Sequence, residues 1–380
     1  MMNNLETYAF FALFTNNGYA HGFRPAVAYS KKLKEIPVWE LPSLTKPVVP
    51  IISYDLKNVL EKLTSHNKIN WPIRNLVFVL PDEFRFVSAN EINQLMESGN
   101  QTLAEVHIQP KVSKQTYIEN VNKLKHHIQQ GDIYEVNYCV EFFANNAEID
   151  PFSLFKQYNA LSRSPMACFV KYNDIYIICG SPERFLKRHG NTLISQPIKG
   201  TRKRSVNDAE MIRELENDQK ERAENVMIVD LVRNDLSRLA KKGSVHVDEL
   251  CKVYTFETVH QSISTVRCEL REDVGFETIL RATFPMGSMT GAPKISAMQL
   301  IEETENSRRQ LYSGSTGYIL PGGDFDLNVI IRTMLYDRKN KYLSFMVGSA
   351  ITAVCDPEKE YEECIIKASG MVKALNTSLV

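Results

Sequence analysis

Residues 195–204 read SQPIKGTRKR. One lysine, Lys199, stands between an apolar dipeptide and a glycine–threonine pair, with basic residues after it. The preceding run, TLIS (192–195), reads as a strand, and Pro197 interrupts its ladder because proline has no N–H to give. Gly200 permits close backbone approach to a ligand. A lysine just past a strand end, beside a glycine, sits where binding loops form. Most lysines are simply solvated, so the stretch poses a choice between a surface charge and a reacting group.

Working outward, SPERF (181–185) puts Glu183 on the far arm of a hairpin that brings the chain back to Lys199. The two can flank one site, although a plain turn glutamate fits the same pattern. In KERAENVMIVDLVRNDLSR, Glu221 and Glu224 share a helical face and press against an apolar run. The last helix carries DPEKEYEECIIK, where Glu360 and Glu363 share a face and Lys367 lies four residues beyond Glu363. Each set alone suits a solvated charged face. Two such helices meeting would offer carboxylates to Mg2+, a hard cation that leaves room for substrate oxygens. FPMGSMTGAPK (284–294) predicts a flexible loop entering a helix, with Pro293 near its first position. Free N–H groups there favour an anion, but a tight turn accounts for the glycines equally well. Arg332 follows two isoleucines in IIRTM, which predicts a partly buried strand residue that needs an anionic partner.

Composition narrows the class. With 380 residues and no formal net charge, the chain can build a large core and gives no reason to expect nucleic acid. Apolar stretches such as NLVFVLP and IYIICG are strand-sized, too short for a membrane span. The N-terminus, MMNNLETYAFFALF, has no early Lys or Arg and makes a poor signal peptide. Seven cysteines form no CxxC pair, which fits reduced thiols in a cytoplasmic protein and argues against structural zinc. Neither GxGxxG nor GxxxxGK[ST] is present, so dinucleotide and P-loop sites have no support.

The element pattern is mixed. Strands are expected at VVPIIS, LVFVLP, YEVNYCVEFF, ACFVKY, IYIICG, SVHVDEL, YTFETVHQSISTV, STGYILPGG, NVIIRTMLYD and YLSFMVGSAITAV. LKNVLEKLTS has helical period. SKQTYIENVNKLKHHIQQG (113–131) predicts an amphipathic helix capped by Ser113 and stopped by Gly131. Further helices are expected at 207–225, 275–283, 293–304 and 357–374. Many antiparallel-looking strands with interspersed helices indicate an α/β (mixed α+β) fold, not a regular βαβ series.

Taken in order, SPERF, PIKGT, AENVMIVDLVRND, GSMTGAPK, STGYI, IIRT and DPEKEYEE resemble the chorismate-utilising enzymes, over roughly residues 113–375. The resemblance implies the fold of anthranilate synthase component I: two packed β-sheets forming a sandwich with helices outside. Residues 1–110 would add strands to that fold, and 111–380 would form the chorismate-binding catalytic domain. Within the family, the lysine of PIKGT resembles the aminodeoxychorismate (para-aminobenzoate) synthase branch. Anthranilate synthases usually have alanine at the position of Lys199.

The resemblance also implies roles. Lys199 would be the nucleophile and Glu183 the general acid for loss of the chorismate C4 hydroxyl. Glu224, Glu363 and Glu360 would hold Mg2+. Gly200, Thr201, Tyr318, Arg332, Gly348, Ala350, Lys367 and Gln261 would line the substrate. Two departures stand out. Gln261 occupies a position that is histidine in many members, with His260 one residue earlier. Ala350 in GSAITAVC (348–355) replaces a glycine. A dry pocket and Mg2+ would favour the neutral, nucleophilic form of Lys199. No Cys–His glutaminase constellation is evident, so ammonia would come from a separate glutamine amidotransferase subunit or from free ammonium. Anthranilate synthase, isochorismate or salicylate synthase, and a non-catalytic chorismate-binding subunit are the competing readings.

Overall fold

The computed structural model describes residues 2–97 and 106–379. Residues 98–105, part of the 1–110 segment, lie outside the described residues. The strands are β1 (Phe10–Thr15), β2 (Ala26–Ser30), β3 (Val49–Ile52), β4 (Leu76–Val79), β5 (Glu83–Phe86), β6 (Gln109–Pro110), β7 (Glu135–Ala144), β8 (Ala167–Tyr172), β9 (Ile175–Cys179) and β10 (Arg184–His189). They continue as β11 (Thr192–Gln196), β12 (Ile198–Lys203), β13 (His246–Thr255), β14 (Val259–Glu269), β15 (Gly291–Ala292), β16 (Ser315–Ile319), β17 (Phe325–Asn328), β18 (Thr333–Asp337) and β19 (Tyr342–Ile351). The helices are α1 (Lys57–Leu60), α2 (Ala89–Glu97), α3 (Lys114–Gln130), α4 (Pro151–Ser162), α5 (Asp208–Asn217), α6 (Gln219–Ser237), α7 (Phe276–Thr283), α8 (Lys294–Thr304) and α9 (Pro357–Ala374).

Two antiparallel sheets result. The first runs β15-β7-β19-β18-β9-β8-β1-β2-β5, with β6 beside β7. The second runs β12-β14-β11-β10-β17-β16-β3-β4, with β13 on β14. The N-terminal strands enter both sheets, β1 pairing with β8 and β3 with β16. The mixed α/β architecture expected from the sequence is therefore present.

Side-chain alternation decides what lies between the layers. In β1, Phe10, Ala12 and Phe14 join Val49, Ile51, Val77 and Val79 of the opposite sheet, while Phe11 and Leu13 join the helix-side core with Tyr117, Leu124 and Phe155. Both faces of FFALFT are buried, which explains its continuous apolar run. In β7 the pattern changes. Val136, Tyr138, Val140 and Phe142 pack on the helix side, leaving Glu135, Asn137, Cys139 and Glu141 on the face toward the other sheet. At this end of the sandwich the inner face turns polar, and a polar cleft replaces the apolar core.

Several elements differ from the sequence-based expectation. LKNVLEKLTS yields only the single turn α1, because Lys62 takes a left-handed conformation and Ser65, His66 and Asn67 bond Glu302 instead. The 207–225 helix is two helices. Asp218 breaks the first and caps the second by accepting from the Glu221 N–H at 3.0 Å, and α6 then runs on to Ser237. YTFETVHQSISTV is not one strand: it holds the end of β13, the hairpin turn and most of β14. NVIIRTMLYD is interrupted between β17 and β18, where Arg332 has φ +51°, so Arg332 sits in a break and not in a strand. The 114–130 helix is capped by Ser113 and ended by left-handed Gly131 as expected.

One buried ion pair ties the 284–294 loop to the first sheet. Arg309 pairs with Glu305 at 2.6 Å and donates to the carbonyls of Met289 and Asn137, both at 2.6 Å. Both side chains are about 1% exposed. Arg309→Leu leaves Glu305 without its partner and frees the loop. It should lower the unfolding free energy by about 3–5 kcal/mol, measured by urea denaturation. A loss below about 1 kcal/mol would show that the pair does not hold this region.

Candidate functional site

The β10–β11 hairpin returns the chain as the sequence suggests, pairing Arg184 with Gln196. Glu183, just before β10, is buried and accepts from the Ser288 hydroxyl at 2.8 Å. Lys199 lies inside β12, not past a strand end. The register of β12 against β14 shifts between Ile198 and Thr201, and this irregularity releases Lys199 from regular pairing. Its Nζ crosses to the other sheet and donates to Glu135 Oε1 at 2.8 Å. Glu224 of α6 lies 3.9 Å from the same Nζ. Lys220, one turn earlier on α6, stands between Glu224 (3.8 Å) and Glu360 of α9 (3.3 Å). The two carboxylate helices therefore meet, with ammonium groups interleaved.

Burial and neighbouring charges set the protonation states. Burial pushes the Glu183 carboxyl up to about 7, against the pull of Ser288, Lys199 and the Ile198 N–H. Burial also pushes Glu224 up to about 7, with Glu135 adding to the rise and Lys199 and Lys220 opposing it. Glu360 is raised by burial and by Glu363. For Glu363 burial acts upward, but Lys367, Lys220 and Lys199 outweigh it and hold the group below the usual range. Burial pulls Lys199 down, yet Glu135, Glu224 and Glu183 outweigh burial and hold it above the ordinary lysine value. Burial alone therefore does not make the amine neutral: the surrounding carboxylates stabilise the charged form.

A site for Mg2+ would draw on the carboxylates of α6 and α9. Among the described residues, no three His, Cys, Asp or Glu side chains already converge as ligands. Even so, Glu224 Oε1 is buried without a hydrogen-bond partner, and Glu360 of α9 shares the Lys220 ammonium with Glu224, with Glu363 beside it on α9. Carboxylate oxygens in this number, one of them unsatisfied, suit a hard dication.

The other sequence candidates are distributed around this centre. Gly200 has φ +89°, and a Cβ there would meet Leu215 Cδ1 at 2.9 Å and Glu221 Oε2 at 3.2 Å. The glycine is thus required by α5 and α6 as well as by its conformation. Thr201 is exposed and pairs with Gln261. Gln261 is buried with its Oε1 unpartnered, whereas His260 bonds Thr255 and Asp208 on the opposite face of β14. Lys367 bonds Glu363 at 2.6 Å and the Gly348 carbonyl at 2.7 Å, fastening α9 to β19. A Cβ on Gly348 would meet Asn137 and Cys139 at 2.5 Å, so β7 dictates this glycine. Ala350 pairs with Asn137 and is half-buried. The Arg332 guanidinium makes a 3.5 Å bond to the Lys367 carbonyl. Tyr318 does not join the group. It packs among Phe14, Phe23, Phe84 and Phe86, and its hydroxyl is engaged by the Arg24 backbone.

Three residues at the centre escape the motif reading. Lys220 looks like one more surface charge. Ser288 hides in a loop that reads as a turn. Glu135 lies in YEVNYCVEFF, where alternate positions carry Glu, Asn, Cys and Glu. That two-residue polar period is the signal that could have marked an inner polar face.

Comparison with known proteins places the chain among relatives. Residues 16–373 match the family model described as chorismate binding enzyme. The chain is 41% identical over 268 residues to an aminodeoxychorismate synthase of Streptomyces griseus, covering 69% of this chain and 36% of that protein. It is 34% identical over 345 residues to anthranilate synthase component 1 of Aquifex aeolicus (strain VF5), covering 86% of this chain and 69% of the relative. The crystal structure of anthranilate synthase component I from Streptococcus pneumoniae TIGR4 superposes with a TM-score of 0.78 at 23% identity, over 95% of this chain and 89% of that one. The chain thus spans little more than a third of the Streptomyces relative's length.

The raised Glu183 carboxyl has a measurable consequence for stability. The unfolded chain loses this proton near 4.5, and the folded chain keeps it until about 7. In that window the native state holds the extra proton, so stability falls as pH rises. Glu183→Gln removes the titration and should gain on the wild type by about 3 kcal/mol between about pH 4.5 and about pH 8. Parallel stability curves for the two proteins would contradict the shifted carboxyl.

Proposed function

The chain belongs to the chorismate binding enzyme family, and we propose that it is the chorismate-aminating component of an aminodeoxychorismate synthase. It replaces the C4 hydroxyl of chorismate by ammonia, giving 4-amino-4-deoxychorismate. The observation that carries this reading is Lys199, a part-buried lysine reaching across the cleft to Glu135 from PIKGT. A lysine here supplies a nucleophile that alanine could not. The anthranilate synthase relative, which matches more of the chain, favours a second reading in which the amine enters at C2.

The residues divide the work. Arg332 takes the enolpyruvyl carboxylate by a charge-assisted bond. The Gly200 N–H and Thr201 hydroxyl take the ring carboxylate. Glu224, Glu360 and Glu363 would hold Mg2+, which when bound would offset the ring carboxylate and draw electron density from C2. Glu183, protonated to a useful extent at neutral pH, gives its proton to the departing C4 hydroxyl. Lys199 Nζ adds to C2 as that hydroxyl leaves, and ammonia then attacks C4 and returns the lysine. Delivery of ammonia by a separate glutamine amidotransferase subunit is proposed by analogy with the relative named as component 1.

The test is product analysis with chorismate, Mg2+ and ammonium, followed by addition of a lyase that aromatises 4-amino-4-deoxychorismate. The reading requires the 4-amino product, converted by the lyase to para-aminobenzoate. Anthranilate or isochorismate would overturn it while leaving the family intact. Glu183→Gln should lower kcat by about 10²-fold or more. In the wild type kcat should fall as pH rises through about 7, since the acid must be protonated. A kcat that is flat across that range would remove Glu183 from the acid role.

A further inference from the structure

We propose that Glu135 is a further catalytic residue of this site, the acceptor of the proton that Lys199 must give up before its nitrogen attacks. The inference rests on the nucleophilic role of Lys199 in the preceding reading. A protonated amine has no lone pair, so a lysine nucleophile needs a base within hydrogen-bond reach.

Geometry selects among the carboxylates. Glu135 Oε1 accepts from Nζ at 2.8 Å, whereas Glu224 at 3.9 Å is beyond hydrogen-bond range. Glu183 is committed to the opposite task, donating a proton to the leaving group, and is itself held by Ser288. Glu135 is 1% exposed, and its second oxygen, Oε2, is buried without a hydrogen-bond partner. Its neighbour on the same face of β7 shows the contrast. Glu141 accepts from Ser307 at 2.5 Å and from Tyr342 at 2.8 Å, so its carboxylate is satisfied and structural. The unpartnered oxygen leaves the Glu135 carboxylate an open acceptor beside Nζ.

The step balances. One proton moves from Nζ to Glu135. The freed lone pair forms the Nζ–C2 bond, the ring double bonds shift from C1=C2 and C5=C6 to C1=C6 and C4=C5, and the C4–O bond breaks with its electrons on oxygen, which leaves as water with the Glu183 proton. Ammonia's lone pair then forms the C4–N bond, the ring double bonds shift back, and the Nζ–C2 bond breaks with its electrons returning to Lys199. Glu135 hands its proton back to Nζ, and Glu183 recovers one from the ammonium formed at C4. No oxidant or reductant is needed.

The test follows covalent adduct formation by intact-mass spectrometry, with chorismate and Mg2+ but no ammonia. Wild type should gain the mass of chorismate less one water. Glu135→Gln keeps the shape and an acceptor oxygen but not the basicity. It should bind chorismate close to normally and form adduct at least about 10²-fold more slowly. Glu135→Asp, which retains a carboxylate, should recover part of the rate. Adduct formation by Glu135→Gln at the wild-type rate would overturn the proposal. So would equal loss of chorismate binding in both variants, which would assign Glu135 a purely structural role. Absence of adduct in the wild type would instead remove Lys199 as nucleophile, and this proposal with it.

Discussion

The Lys199–Glu135 ion pair spans the two sheets, and the rest of the site depends on it. Glu135 stands on β7 of the first sheet and Lys199 on β12 of the second. A buried pair of this kind is costly to desolvate and weak evidence for stability. It is better understood as a fixed distance between layers. The bond sets where Nζ points, and the surrounding carboxylates decide its charge. Were the inner face of β7 apolar along its whole length, the sandwich would close here as it does around Phe10, Phe14 and Ile177.

The cleft is therefore built by subtraction. Small or polar residues, Asn137, Gly348 and Ala350, replace the large apolar side chains that fill the sheet interface elsewhere. The buried Arg309–Glu305 pair holds the 284–294 loop over this region, and that loop presents Ser288 to Glu183. The two carboxylate helices, α6 and α9, form the remaining wall. Lysines 199, 220 and 367 alternate with glutamates 135, 224, 360 and 363, so that no acid lies far from a counter-charge. Such an arrangement admits a dianionic substrate only if its charge is answered, and Arg332 and a hard cation answer it in the proposed function.

Much of this was legible in the sequence where local chemistry decides the structure. Ser113 and Gly131 bound their helix because capping and left-handed termination are local events. The hairpin from Glu183 to Lys199 could be inferred from a turn and two strands. Tertiary competition hid the rest. Asp218 caps α6 only because the chain breaks there, and LKNVLEKLTS unwinds as Glu302 takes the Ser65 hydroxyl and the N–H groups of His66 and Asn67 just after it. The left-handed Arg332 has no glycine to announce it. Tyr318 carries a polar group that could serve a ligand, but its aromatic neighbours come from strands distant in sequence. Glu135 escapes a reading of the sequence because a glutamate in a strand looks solvent-facing unless a second sheet covers it.

In the proposed reaction Lys199 leaves Glu135 and bonds to the substrate ring. The most direct measurement is a crystal structure of the protein with chorismate and Mg2+ in the absence of ammonia. The account requires continuous density from Lys199 Nζ to ring C2, with the C4 hydroxyl gone and Glu183 facing C4. An intact chorismate in the cleft, with Nζ still bonded to Glu135 at the distance seen here, would contradict it.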